Sequence, residues 1–269
     1  MRRPFLAVCV FGLAAFSPAQ KLQFSPAERE EVVERAKSAP ENDILRATQL
    51  REAFLEAGCN RLSEQKVDET ASPNLICELP GEGSETIIVG AHYEKASSPA
   101  RPIDNWTGAA LLPSLYHCLR YRQRRHRIIF VEFADRGNEP GGAEYFAAHL
   151  SAQEQAHVEA MINLDVLGLS ATKVWTAHSD KDLVHALVHM MYSMKLAASQ
   201  IDISAAGSTD SEPFASRRIP QITIHSLTQA NLAGAVTPFR PVAYYDTYRL
   251  LCGYLAYLDA TLKPRSRAG

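Results

Sequence analysis

The chain has 269 residues, 46% of them hydrophobic and 22% charged, with a formal net charge of −2. It is long enough to bury a large core. So near a balance of charge gives no reason to expect nucleic acid or an anionic membrane surface as a partner.

Residues 1–19 carry a leader pattern. Arg2-Arg3 make a positive start, Phe5 to Phe16 an apolar run, and Ser17-Pro18-Ala19 a small-residue cleavage site. The apolar run is too short to span a bilayer. The expectation is a secretory signal cleaved after Ala19, with an uncleaved anchor and lipidation at Cys9 as alternatives. The mature protein would be secreted or periplasmic and free of the membrane, with residues 20–269 as one domain. Cys59, Cys77, Cys118 and Cys252 then remain, and an even count in an exported chain permits disulfides. Cys59 and Cys77 can pair, with buried free thiols as the equal alternative. No CxxC pair occurs, so a cysteine zinc site is not expected.

Ser25-Pro26-Ala27-Glu28 reads as a helix start: a cap, a proline at the first helical position and an acid in the first turn. A second helix is predicted from Asp43 to Ala57, stopped by Gly58. "RLSEQKV" and "NLICEL" read as strands, and "ETIIVGAH" as a buried strand of the parallel kind. Strands and helices then alternate. A helix from Asn105 to Tyr121 precedes strand "RIIFVEF", and a helix from Gly142 to Leu150 precedes strand "AMINLDV". Strand "KVWTAH", a helix from Asp180 to Leu196, strand "QITIHS" and a closing helix from Pro241 to Leu262 complete the order. That order predicts an α/β three-layer sandwich, a mostly parallel central sheet with helices on both faces. Chemistry in such sheets gathers at the carboxyl ends of the strands.

Three polar residues fall there. His92 ends "TIIVGAH", Asp104 opens the helix of "IDNWTGAALL", and Asp165 stands in the apolar strand "MINLDVLGL". Each has a plain structural reading: a strand-end histidine, a helix cap, a capped buried carboxylate. One imidazole and two carboxylates at one sheet edge nevertheless make a zinc-type donor set. A buried carboxylate also needs a partner or a cation.

The ordered motifs "GAHYE", "DNWTGAALL", "FVEFADRGNEPGGAEYF", "MINLDVLGL", "STDSEPF" and "IPQITIHS" resemble metallopeptidase family twenty-eight, the leucyl aminopeptidase and aminopeptidase Y type zinc exopeptidases. The best matching part is residues 74–259. The resemblance implies two zinc ions sharing a carboxylate around a hydrolytic water. Asp104 would be that carboxylate, and His92 and Asp165 would complete one metal's ligands. Glu94 stands where the family has an aspartate behind the histidine.

The other half-site departs from the family pattern. Arg136 occupies the general-base position, Gly137 that of the second metal's glutamate, and Val236 is the nearest match to a missing histidine. The implied protein is catalytically impaired or inactive, holds one zinc at most, and keeps a pocket for peptide or protein amino termini. Arg136 is expected to fill the vacated metal position and pair with Asp104. Asp210, in "STDSEPF", is a candidate for a peptide amine, with a turn residue as the alternative. The competing expectation is an active aminopeptidase using one zinc and a relocated carboxylate, with Asp135 and Glu139 as candidates. His225 could stand in as a ligand, or be a core histidine. A glutaminyl cyclase reading fits less well, because that single-zinc site resembles the half lost here.

Overall fold

The protein is described by a computed structural model that covers residues 24–68, 70, 72–95, 105–134, 141–196, 199–200 and 209–265. In chain order the elements are α1 (Arg29–Lys37), α2 (Asp43–Glu56), β1 (Leu62–Gln65), β2 (Asn74–Leu79), β3 (Thr86–His92), α3 (Trp106–Ala109), α4 (Leu112–Leu119) and β4 (Arg127–Phe133). They continue with α5 (Gly141–Ala148), α6 (Ala152–His157), β5 (Val158–Asp165), β6 (Lys173–Val174), α7 (Lys181–Ser193), β7 (Ser199–Gln200), α8 (Glu212–Ser216), β8 (Gln221–His225), α9 (Gln229–Leu232) and α10 (Pro241–Thr261). The leader pattern of residues 1–19 lies outside the described residues.

The sheet order is β1-β2-β4-β3-β5-β8-β6-β7. Its centre, β4-β3-β5-β8, is parallel throughout. Antiparallel pairings join β1 to β2, β2 to β4 and β6 to β8 nearer the edges. The central strands are buried on both faces, which is why they read as nearly unbroken apolar runs. On one face α1, α2, α3, α4, α7 and α10 enclose the larger core. On the other, Ala143, Phe146 and Ala147 of α5 and Phe214 of α8 pack on Ile88, Val131, Phe133 and Met161. Phe133, Phe146 and Phe214 form an aromatic triad with ring centroids 6.1–6.3 Å apart. The three-layer α/β expectation holds.

Local departures from the sequence reading have identifiable causes. The first helix starts at Arg29, not beside Ser25. Ser25 N–H donates to Cys118 O at 3.1 Å and Ala27 N–H to Tyr248 Oη at 2.8 Å, so tertiary bonds hold residues 25–27 outside the helix. The expected helix from Asn105 to Tyr121 is two helices. Pro113 lacks an N–H and its ring would clash with the carbonyl four residues back, so the chain breaks between Ala109 and Leu112. "KVWTAH" pairs only at Lys173–Val174 before a 3₁₀ turn at Thr176–His178. The unexpected helices α6 and α9 both carry capping boxes, Ser151 with Glu154 and Thr228 with Asn231.

Two disulfides staple the larger core. Cys59–Cys77 joins the end of α2 to β2, and Cys118–Cys252 joins α4 to α10. The arginine-rich run after α4 is spent on structure. Arg122 Nη2 meets Asp259 Oδ2 at 2.6 Å, and Arg124 Nη1 donates to Leu119 O and Arg122 O at 2.8 Å each. Among the described residues no helix is long and apolar enough to cross a membrane.

Candidate metal centre

Three polar residues end three neighbouring parallel strands. In the β3–β5 pairing Gly90 lies opposite Asn163, and two residues later those strands end at His92 and Asp165. On the far side of β5, Asp165 lies opposite His225, the last residue of β8. Strand alternation puts all three on the face covered by α5 and α8.

Asn105 locks this edge. Its amide is 1% exposed. Val166 N–H donates to Asn105 Oδ1 at 2.6 Å, and Asn105 Nδ2 donates to Leu164 O at 3.0 Å, so one side chain grips the peptide groups on both sides of Asp165. The chain turns sharply there. Val166 has φ 49°, a conformation costly for a β-branched residue. Its carbonyl is held as well, by Ser226 N–H at 2.9 Å and Ser226 Oγ at 2.7 Å. Gly108 lets α3 seat this closely, because a Cβ there would lie 2.5 Å from Asn105 Oδ1 and 2.7 Å from Leu164 O. Asn105 opens a formal Asn-Trp-Thr glycosylation sequon, but its amide nitrogen is consumed inside the protein.

The two histidines at this edge are in opposite states. His92 Nδ1 lies 2.9 Å from Asp210 Oδ2 and 3.4 Å from Asn105 Nδ2. The shorter, charge-assisted contact puts the proton on Nδ1, so Nε2 is the nitrogen through which His92 would ligate. His225 is fully buried, and its Nδ1 accepts from Leu227 N–H at 3.1 Å, so the neutral ring carries its proton on Nε2. Burial first, and the Lys173 cation second, lower its pKa to about 4. His225 is thus a buried histidine whose Nδ1 lone pair is used inside the protein.

Asp210, the candidate for a peptide amine or a turn residue, is 3% exposed and its Oδ2 lies against His92 Nδ1. Val236 sits 80% exposed between α9 and α10. Glu94 is buried, and its charge adds to burial in raising the pKa of the Tyr93 phenol. Asp104, Asp135, Arg136, Gly137 and Glu139 lie outside the described residues. One acid escaped the sequence reading. Glu132, the penultimate residue of β4, is fully buried, and among the described residues neither carboxylate oxygen has a hydrogen-bond partner. Burial pushes its pKa well up. An acid in the otherwise apolar strand "RIIFVEF" was the available signal.

Among the described residues no three His, Cys, Asp or Glu side chains are close enough together to hold a metal ion. Any third ligand beside His92 and Asp165 would come from outside the described residues, where Asp104 lies. The described part fits such a group: an imidazole backed by a carboxylate and a strand-end aspartate whose flanking peptides are clamped. A pocket of about 550 Å³ opens at the start of α10, between Thr172, Leu196, Phe239, Arg240, Val242 and Asp246.

Residues 74–248 match the model of Peptidase family M28. No curated protein sequence matches the chain significantly. Among solved structures, the Legionella pneumophila LapA aminopeptidase superposes with a TM-score of 0.68 at 16% identity, over 97% of this chain and 81% of that one. The Fimbriiglobus ruber glutaminyl cyclase gives 0.67 at 14%, over 88% and 97%. A zinc aminopeptidase from Bacillus subtilis gives 0.59 at 17%, over 73% of this chain and 52% of that one, so this chain covers about half its length. At these identities the likeness is one of fold.

Proposed function

The chain belongs to the M28 peptidases, and from that membership we propose that it is a catalytically impaired member retaining a single zinc half-site. His92, Asp104 and Asp165 would hold the ion, which supplies Lewis acidity when bound. His92 would present Nε2 with Asp210 behind it, and Asp165 would be aimed by the Asn105 clamp. The second half-site lacks its donors. By motif position Gly137 and Val236 stand for a glutamate and a histidine, and neither side chain can ligate. Arg136 stands for the general base, and arginine does not deprotonate in proteins. Losing a positioned base removes roughly 10²–10⁴-fold of rate on its own.

One observation carries the reading. The histidine in register with Asp165 that could have replaced the missing ligand, His225, has Nδ1 committed to Leu227 N–H and its ring buried beside a lysine. The two disulfides support an exported protein, since such bonds persist in oxidising compartments. The pocket at the start of α10, with apolar walls and the Asp246 carboxylate, suits the amino terminus of a peptide or protein. The test is turnover of aminoacyl anilides by purified protein with zinc added. No turnover is expected. Turnover that Asp165→Ala abolishes overturns the proposal in favour of a one-zinc aminopeptidase.

A further inference from the structure

We propose that Asp210 is a positioning residue of the metal centre, which fixes the tautomer and ring orientation of His92 from a segment 118 residues away. The inference rests on the zinc reading above and extends it to the turn before α8.

Asp210 faces His92 across 2.9 Å, and it is nearly inaccessible to water. A carboxylate in that setting accepts from Nδ1–H and disfavours the tautomer with the proton on Nε2, the form that cannot ligate through Nε2. The turn that carries this carboxylate is itself anchored. Thr209 Oγ1 and Ser211 Oγ, on either side of it, are 2.7 Å apart, and Ser211 Oγ lies 2.9 Å from Thr223 Oγ1 of β8. Glu212 N–H donates to Thr209 O at 3.0 Å, closing the turn. These hydroxyls are buried, so the turn is bolted to the strand next to β5. The sheet thus fixes His92 directly and fixes its partner through Thr223. A surface carboxylate on a loose loop could not hold an imidazole to one orientation at low entropic cost.

The roles of His92 and Asp210 separate in experiment. Selective ¹⁵N-histidine labelling, with H92A to assign the signal, reports the His92 tautomer, and zinc titration reports affinity. In the native protein His92 should carry its proton on Nδ1. D210A should shift that tautomer and weaken zinc by 10–100-fold, with the thermal transition still cooperative. D210N, which can still accept a hydrogen bond but lacks the charge, should fall between. S211A, which leaves Asp210 in place but removes an anchor, should weaken zinc by a smaller factor. An unchanged tautomer in D210A overturns the proposal, and so does a changed tautomer with unchanged zinc affinity. If the native protein binds no zinc, the metal reading fails, and the tautomer alone decides whether Asp210 orients His92.

Discussion

Asn105 holds Asp165 by its neighbours, accepting from Val166 N–H at 2.6 Å and donating to Leu164 O at 3.0 Å. The residue after the proposed ligand Asp104 thereby aims Asp165, and it stabilises the strained turn at Val166. N105A should cost about 2–4 kcal/mol, because two buried backbone groups lose their partners. Urea denaturation measures that loss, and zinc affinity should fall with it. Secreted from a glycosylating host, the folded protein should carry no glycan at Asn105.

H225Q should leave zinc content unchanged, since the ligating nitrogen of that ring is already used, whereas H92A should abolish it. Metal analysis of the two purified variants makes the comparison. Loss of zinc from H225Q at retained stability would place His225 in the metal centre after all.

Glu132 predicts an alkaline weakness. Its folded pKa is raised by burial, so between the unfolded value near 4.5 and the folded value the native state binds more protons than the unfolded chain. Stability therefore falls as pH rises through that window. E132M, which removes an unpartnered buried carboxyl at similar volume, should stabilise by about 1–3 kcal/mol near neutral pH. Its advantage should shrink toward pH 4. Denaturant midpoints of the two proteins across pH 4–9 decide.

The Cys118–Cys252 bond closes a loop 134 residues apart in sequence and joins α4 to α10. Chain-entropy reasoning assigns a loop of that size about 4–5 kcal/mol, against about 3 kcal/mol for the 18-residue separation of Cys59–Cys77. Replacing Cys118 and Cys252 by alanine should lower the melting temperature more than replacing the shorter pair, as differential scanning calorimetry would register.

Much of the fold could be read directly, because parallel buried strands such as "TIIVGAH" and "RIIFVEF" announce themselves by apolar runs, and α2 by the Gly58 that stops it. What was not legible depended on contacts distant in sequence. Nothing local says that Tyr248 will take the N–H of Ala27, or that Val166 will be forced to positive φ. In the site, His92 and Asp165 were visible as polar residues ending apolar strands. The contact of Asp210 with His92 was not, because His92 comes from a strand 118 residues earlier. His225 could be named but not assigned, since its tautomer turns on one backbone N–H, that of Leu227. Arg136 and Gly137 were legible only against the family pattern.

The most direct test of the reduced metal centre is zinc stoichiometry by native mass spectrometry, on zinc-loaded, dialysed protein assayed for aminopeptidase activity in the same preparation. One zinc per chain and no turnover are expected. Two zinc ions per chain with turnover would contradict the proposal.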